Sequence, residues 1–90
     1  MRVHFTASGW DDYQYWIEND PAVLVRLNVL IRDARRNPFT GIGKPEPLKR
    51  QLSDWWSRRI SGEHRLVYRV EGKAGADQRI EITMCRYHYD

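Results

Sequence analysis

Glu46 stands between Pro45 and Pro47, so the backbone on both sides of its carboxylate is stiff. It lies in a stretch, residues 43–69, that holds seven cations (Lys44, Lys49, Arg50, Arg58, Arg59, Arg65 and Arg69) against three acids (Glu46, Asp54, Glu63), a local balance of +4. A guanidinium offers a planar fork of donors that matches phosphate oxygens. A held carboxylate beside such a surface is what a phosphodiester-cleaving site without a metal needs. It supplies a base, and the cations offset charge that builds on phosphorus. A second concentration of functional groups closes the chain: Arg86, Tyr87, His88, Tyr89 and Asp90. Charge clusters are also ordinary on solvated surfaces, so these residues take their meaning from the elements that position them.

Ninety residues point to one domain, residues 1–90. A chain this short buries only about 60–65% of its unfolded surface, so aromatic side chains must carry much of the core. Four Trp, five Tyr and two Phe fit that need. Net charge is +3, and twelve of the fifteen basic residues are Arg, a balance that favours nucleic acid or an acidic protein. Cys85 is the single cysteine, which excludes an intramolecular disulfide and a cysteine-based metal site. Three scattered histidines show no ligand spacing, so neither metal nor cofactor is expected. No leader or apolar run of membrane-spanning length is read, which predicts a cytoplasmic protein without a membrane partner.

Alternation over residues 2–5 predicts a first strand. Ser8, with Asp11 three residues on, predicts a helix over about 9–18 carrying Trp10, Tyr13 and Ile17. Asp20-Pro21 starts a second helix, whose apolar stripe is Val23, Leu24, Leu27, Leu30, Ile31 and Ala34, and Pro38 ends it. The two form a helical hairpin. Residues 37–48, with three prolines and two glycines, are expected to have no regular structure. The Gly41–Lys44 G-x-G-K is not a phosphate loop, because no Ser or Thr follows Lys44 and Pro45 removes a donor. Residues 55–60, 64–70 and 79–85 read as three strands, joined by a turn at Ser61-Gly62 and a hairpin loop over 71–77. The order is β-α-α-β-β-β: an α+β domain with a helical hairpin on a mainly antiparallel sheet. Leu66, Tyr68 and Val70 should face the helices, leaving Arg65, Val67 and Arg69 on an open face. Trp10, Trp16 and Trp55 read as core, Tyr87 as a late core or edge aromatic, and His4 and His64 as structural residues with no obvious charge partner. The tail, with so little chain beyond it, is expected to move at little cost to the core.

These segments resemble a known family. WDDYQYW (10–16), GKPEPLK (43–49), WSRRI (56–60), EHRLVY (63–68) and CRYHY (85–89) are together similar to ribonuclease toxins of the RelE superfamily, most closely the YoeB (Txe) branch of type II toxin–antitoxin modules. They span nearly the whole chain in the family's order; the departure is a longer hairpin over 71–77. The resemblance implies the small RelE-like fold. It also implies a toxin that binds the ribosome and cuts messenger RNA in the decoding site without a metal, a cognate antitoxin that silences it, and the capacity to form a homodimer. It assigns the catalytic acid to Glu46, the phosphate arginine to Arg65 and the C-terminal histidine to His88, with supporting phosphate contacts from Lys49, Arg59 and Tyr89.

The chemistry so implied uses the RNA's own 2′-OH. Glu46 takes its proton, the oxygen attacks phosphorus, His88 protonates the departing 5′-oxygen, and a 2′,3′-cyclic phosphate results. Arg65 clamps the phosphate, while Lys49 and Arg59 align it in line. DNA lacks the 2′-OH and is not cut this way. Two other readings stay open on sequence: a non-nuclease toxin of the same fold that inhibits gyrase, and a nucleic-acid-binding module without chemistry.

Overall fold

The computed structural model describes residues 1–88. Its elements are strand β1 (Arg2–Phe5), helices α1 (Ala7–Asn19) and α2 (Pro21–Arg36), and strands β2 (Glu46–Pro47), β3 (Trp56–Arg59), β4 (Arg65–Glu71) and β5 (Arg79–Met84), with a 3₁₀ turn at Arg50–Leu52. The sheet order is β1-β5-β4-β3-β2, with β1 parallel to β5 and every other pair antiparallel. The expected α+β architecture is therefore present, with the helical hairpin on one face of the sheet.

Helix α1 begins two residues earlier than the Ser8 signal predicts. Thr6 is the cap: its Oγ1 accepts from the Gly9 N–H at 3.1 Å. Ser8 Oγ instead donates to the Thr83 carbonyl at 2.9 Å and ties the helix to β5. Gly9 permits that approach, because a Cβ there would lie 2.2 Å from the Ile82 carbonyl oxygen. Helix α2 starts as read, with Asp20 Oδ1 accepting from the Val23 N–H and Pro21 in the first turn. Its buried stripe of Leu27, Leu30, Ile31 and Ala34 packs with Trp16, Leu66, Tyr68, Ile80, Ile82 and Cys85 in one cluster. Each fully buried Leu or Ile there contributes roughly 1.5–3 kcal/mol.

Several expectations are corrected. The proline loop does contain regular structure, since Glu46 and Pro47 pair with Ser57 and Trp56 as the short edge strand β2. Pro47 is tolerated because an edge strand needs fewer backbone donors. Trp10 is 49% exposed and so is not core, and Tyr87, 54% exposed, is an edge aromatic rather than a core one. Trp55 is half-buried, with the Arg69 guanidinium 4.6 Å above its ring. Val67 is buried rather than open, at a bulge between Val67 and Tyr68, yet it stands outside the cluster under the helices. Arg69 is also engaged, with Glu81 at 3.0 Å and Glu71 at 3.3 Å, and is not a free cation of the open face.

Candidate active site

The sheet register assembles the candidate site. Glu46 on β2 lies across from Ser57 on β3, Ser57 across from Val67 on β4, and Val67 across from Met84 on β5. Two residues along, Arg59 lies across from Arg65. Alternation puts Ser57, Arg59, Arg65 and Val67 on the face away from the helices, because Leu66 and Tyr68 point into the helix-side core. Strand spacing and rise place the Glu46 and Arg65 Cα atoms roughly 12 Å apart, a span that the two side chains can close around one phosphate. Glu46, Lys49 and Arg59 are exposed, and Arg65 is half-buried.

The arginines of the basic stretch do different work. Arg58 is fully buried, and its five N–H groups meet five acceptors. Nε donates to Tyr68 Oη at 2.9 Å, Nη1 to Asp33 Oδ2 and the Ile42 carbonyl, and Nη2 to the carbonyls of Asn37 and Thr40. Tyr68 Oη donates onward to the Pro38 carbonyl at 2.5 Å. The guanidinium beside Asp33 holds its carboxyl below the usual range, while burial raises the Tyr68 phenol. Residues 37–42 thus wrap around Arg58, and Asp33 also accepts from the Ile42 N–H at 3.1 Å. Gly41 is required in that wrap: its φ is +121°, and a Cβ would fall 2.1 Å from Asp33 Oδ2. The Arg59 N–H then donates to the Gly43 carbonyl at 2.7 Å. The loop presenting Glu46 is held by a residue that sequence reading placed among the phosphate-binding cations. No local spacing signals the pair, since Asp33 and Arg58 are 25 residues apart.

Arg65 uses Nη1 to hold the β3–β4 turn, donating to the carbonyls of Ser61 (2.8 Å), His64 (3.1 Å) and Gly62 (3.3 Å). Among the described residues its Nε and Nη2 make no hydrogen bond, so part of the fork remains for a ligand.

The tail is held as far as Tyr87 by bonds to Asp12, Trp16, His64 and Arg65. Asp12 Oδ2 accepts from the Cys85 N–H at 3.1 Å, and Trp16 Nε1 donates to the Cys85 carbonyl at 2.7 Å. The Arg86 guanidinium sits 3.5 Å over the Tyr15 ring. The Tyr87 N–H donates to His64 Nδ1 at 2.7 Å, and the Tyr87 carbonyl accepts from the Arg65 N–H at 2.8 Å. His64, read as lacking a charge partner, also has Glu63 Oε1 3.7 Å from its Nε2. These bonds bring the exposed His88, the next residue, to the Arg65 end of β4. Tyr89 lies outside the described residues. Burial pushes the Cys85 thiol up to about 12, so it serves as packing rather than as a nucleophile.

Backbone strain marks the same places. Among the described residues three non-glycine residues have positive φ: Lys44 (52°), Arg50 (60°) and Tyr87 (61°). Lys44 lies two residues before Glu46, Arg50 directly follows Lys49, and Tyr87 directly precedes His88. Such residues cost about 1–3 kcal/mol each and concentrate where side chains are held for function.

Comparison with known proteins bears on the family and the fold. Residues 5–89 match the family described as YoeB-like toxin of bacterial type II toxin-antitoxin system. The chain is 52% identical over 89 residues to Toxin YoeB of Escherichia coli (strain K12), covering 99% of this chain and 100% of that protein. It superposes with a TM-score of 0.94 on the YoeB/ParE toxin from Agrobacterium tumefaciens, at 52% identity over 99% of this chain and 100% of that one. It also superposes on YoeB from Staphylococcus aureus, solved as a dimer (41% identity, TM-score 0.86) and in a YoeB-YefM complex (39%, 0.85), each covering 99% of this chain and 98% of that one.

Proposed function

This chain belongs to the YoeB-like toxins of bacterial type II toxin–antitoxin systems, and from that premise we propose that it is a ribosome-dependent endoribonuclease that cleaves messenger RNA in the decoding site. The observation that carries this reading is the register placing Glu46, Arg59 and Arg65 on one open face, with the peptide before His88 bound to Arg65. Glu46 removes the proton of the 2′-OH. The oxygen attacks the adjacent phosphorus as the P–O5′ bond breaks, and His88 gives a proton to the leaving 5′-oxygen. The charge that grows on the phosphoryl oxygens meets the Arg65 fork, with Lys49 and Arg59 holding flanking phosphates. The step is balanced by proton transfer alone and calls on no metal or redox partner. Cleavage confined to the ribosome follows if the ribosome bends the message into the in-line geometry that an open, shallow face cannot impose.

The partner we propose is an antitoxin, as the YoeB-YefM complex of the Staphylococcus aureus relative suggests, and the positive field of residues 43–69 favours contact through an acidic segment of it. The dimer of that relative supports self-association as well, and the cytoplasm is proposed as the site of action because the proposed substrate is ribosome-bound message. The test is incubation with ribosomes and a defined message, followed by mapping of the RNA ends. Cuts that appear only when ribosomes are present support the proposal. Intact message with loss of gyrase activity would favour the gyrase-inhibitor reading, and a mobility shift alone would leave a binding module.

A further inference from the structure

Tyr87 is a single residue held at both of its backbone polar groups by consecutive residues. Its N–H goes to the His64 ring and its carbonyl to the Arg65 N–H, at 2.7 and 2.8 Å. It carries a positive φ of 61°, a conformation that must be enforced by its surroundings. The His64 ring is itself fixed. Its side chain is 12% exposed, and it meets the Trp16 indole edge-to-face at 4.7 Å and 81°. Trp16, 4% exposed, binds the Cys85 carbonyl on the other side of the same tail. Nδ1 is the acceptor of a backbone N–H, which leaves Nε2 as the donor nitrogen, on the side of Glu63.

We propose that His64 is a positioning residue for the His88 acid: its Nδ1 lone pair holds the Tyr87 peptide so that residue 88 emerges beside Arg65. The proposal rests on the nuclease reading above for its consequence but not for its geometry. His64 is not itself the acid, since its Nδ1 is occupied by the backbone. Its worth comes through alignment, where a displacement of about 1 Å costs up to two orders of magnitude in rate.

Three variants of the full chain decide it: His64→Asn, whose Oδ1 falls near the position of Nδ1 and can accept; His64→Gln, whose reach matches Nε2 instead; and His64→Ala. Each is followed by single-turnover cleavage on saturating ribosomes, by the ribosome concentration at half-saturation, by denaturant unfolding, and by the amide proton shift of Tyr87. The expected result is a roughly 10- to 100-fold slower step for Ala and Gln with half-saturation unchanged, and recovery of most of the rate in Asn. The Tyr87 amide proton should move upfield in Ala and Gln and return in Asn. Wild-type cleavage in His64→Ala would overturn the proposal. So would equal losses in all three variants that track lost stability, because packing alone would then explain them. If the wild type cuts nothing, the nuclease reading fails and the amide decides the clamp: a shift in Ala restored in Asn supports it, and no shift overturns it.

Discussion

On the helix side of β3, Arg58 is sealed from water and spends every donor on the protein. One residue later Arg59 is exposed on the open side, and across from it Arg65 has, among the described residues, no hydrogen bond from Nε or Nη2. The two regions share residue type and sequence neighbourhood, yet one holds the loop carrying Glu46 and the other faces whatever binds there. A buried ion is tolerated only when fully paired, so Arg58 has nothing left to give a ligand. An exposed ion gains little from internal pairing and remains available.

Removing Arg58 should have the widest effect. Arg58→Met leaves Asp33 and three loop carbonyls without their donor and should lower stability by about 3–5 kcal/mol in denaturant unfolding. A loss below about 1 kcal/mol would show that the loop stands without it. Arg59→Ala should change stability by less than about 0.5 kcal/mol, and a large loss there would erase the contrast between the two faces.

On the open side the expected cost is in rate rather than folding. Glu46→Ala should slow ribosome-dependent cleavage by roughly 10²–10⁴ while the unfolding midpoint stays put. Cleavage at the wild-type rate would remove Glu46 from the base role. Arg65→Lys keeps the charge and loses the planar fork, so a roughly 10- to 100-fold slower step is expected, the worth of one hydrogen bond to a charged group. A near-normal Lys variant would mean that charge alone suffices.

The smallest expected effect is on pH dependence. Asp33 has a carboxyl pKa lowered by the Arg58 hydrogen bond, so below its ordinary value the unfolded chain binds the proton first. The stability contributed by the pair is full above about pH 4 and is lost as pH falls through the depressed folded value. Asp12 works with the opposite sign: burial raises its pKa, so stability falls as pH rises from its ordinary value through the raised one. Asp33→Asn should therefore flatten the acid limb of a melting-temperature series, and Asp12→Asn should steepen it. Equal slopes in both variants and wild type would deny the assigned directions.

What sequence determined here is whatever depends on local order. The Asp20-Pro21 start, the stripe from Leu27 to Ala34 and the alternation of β4 and β5 repeat over a few residues, and each period selects one backbone shape. The motifs around Glu46, Arg65 and His88 were likewise legible as residues, and the family followed from their joint order. Tertiary structure alone decided which cations are spoken for. Arg58 and Arg59 have the same neighbours in sequence, and only the alternation of β3, set against Asp33 from a distant helix, sends one inward and the other outward. It likewise decided that a two-residue strand fixes Glu46 and that His64 grips Tyr87, for the first is a backbone pairing and the second a ring-to-backbone bond, each between separate segments of the chain. Such pairings leave no period in the sequence, because the hydrogen-bonding groups involved are carried by every residue or lie on a partner that no spacing rule can point to.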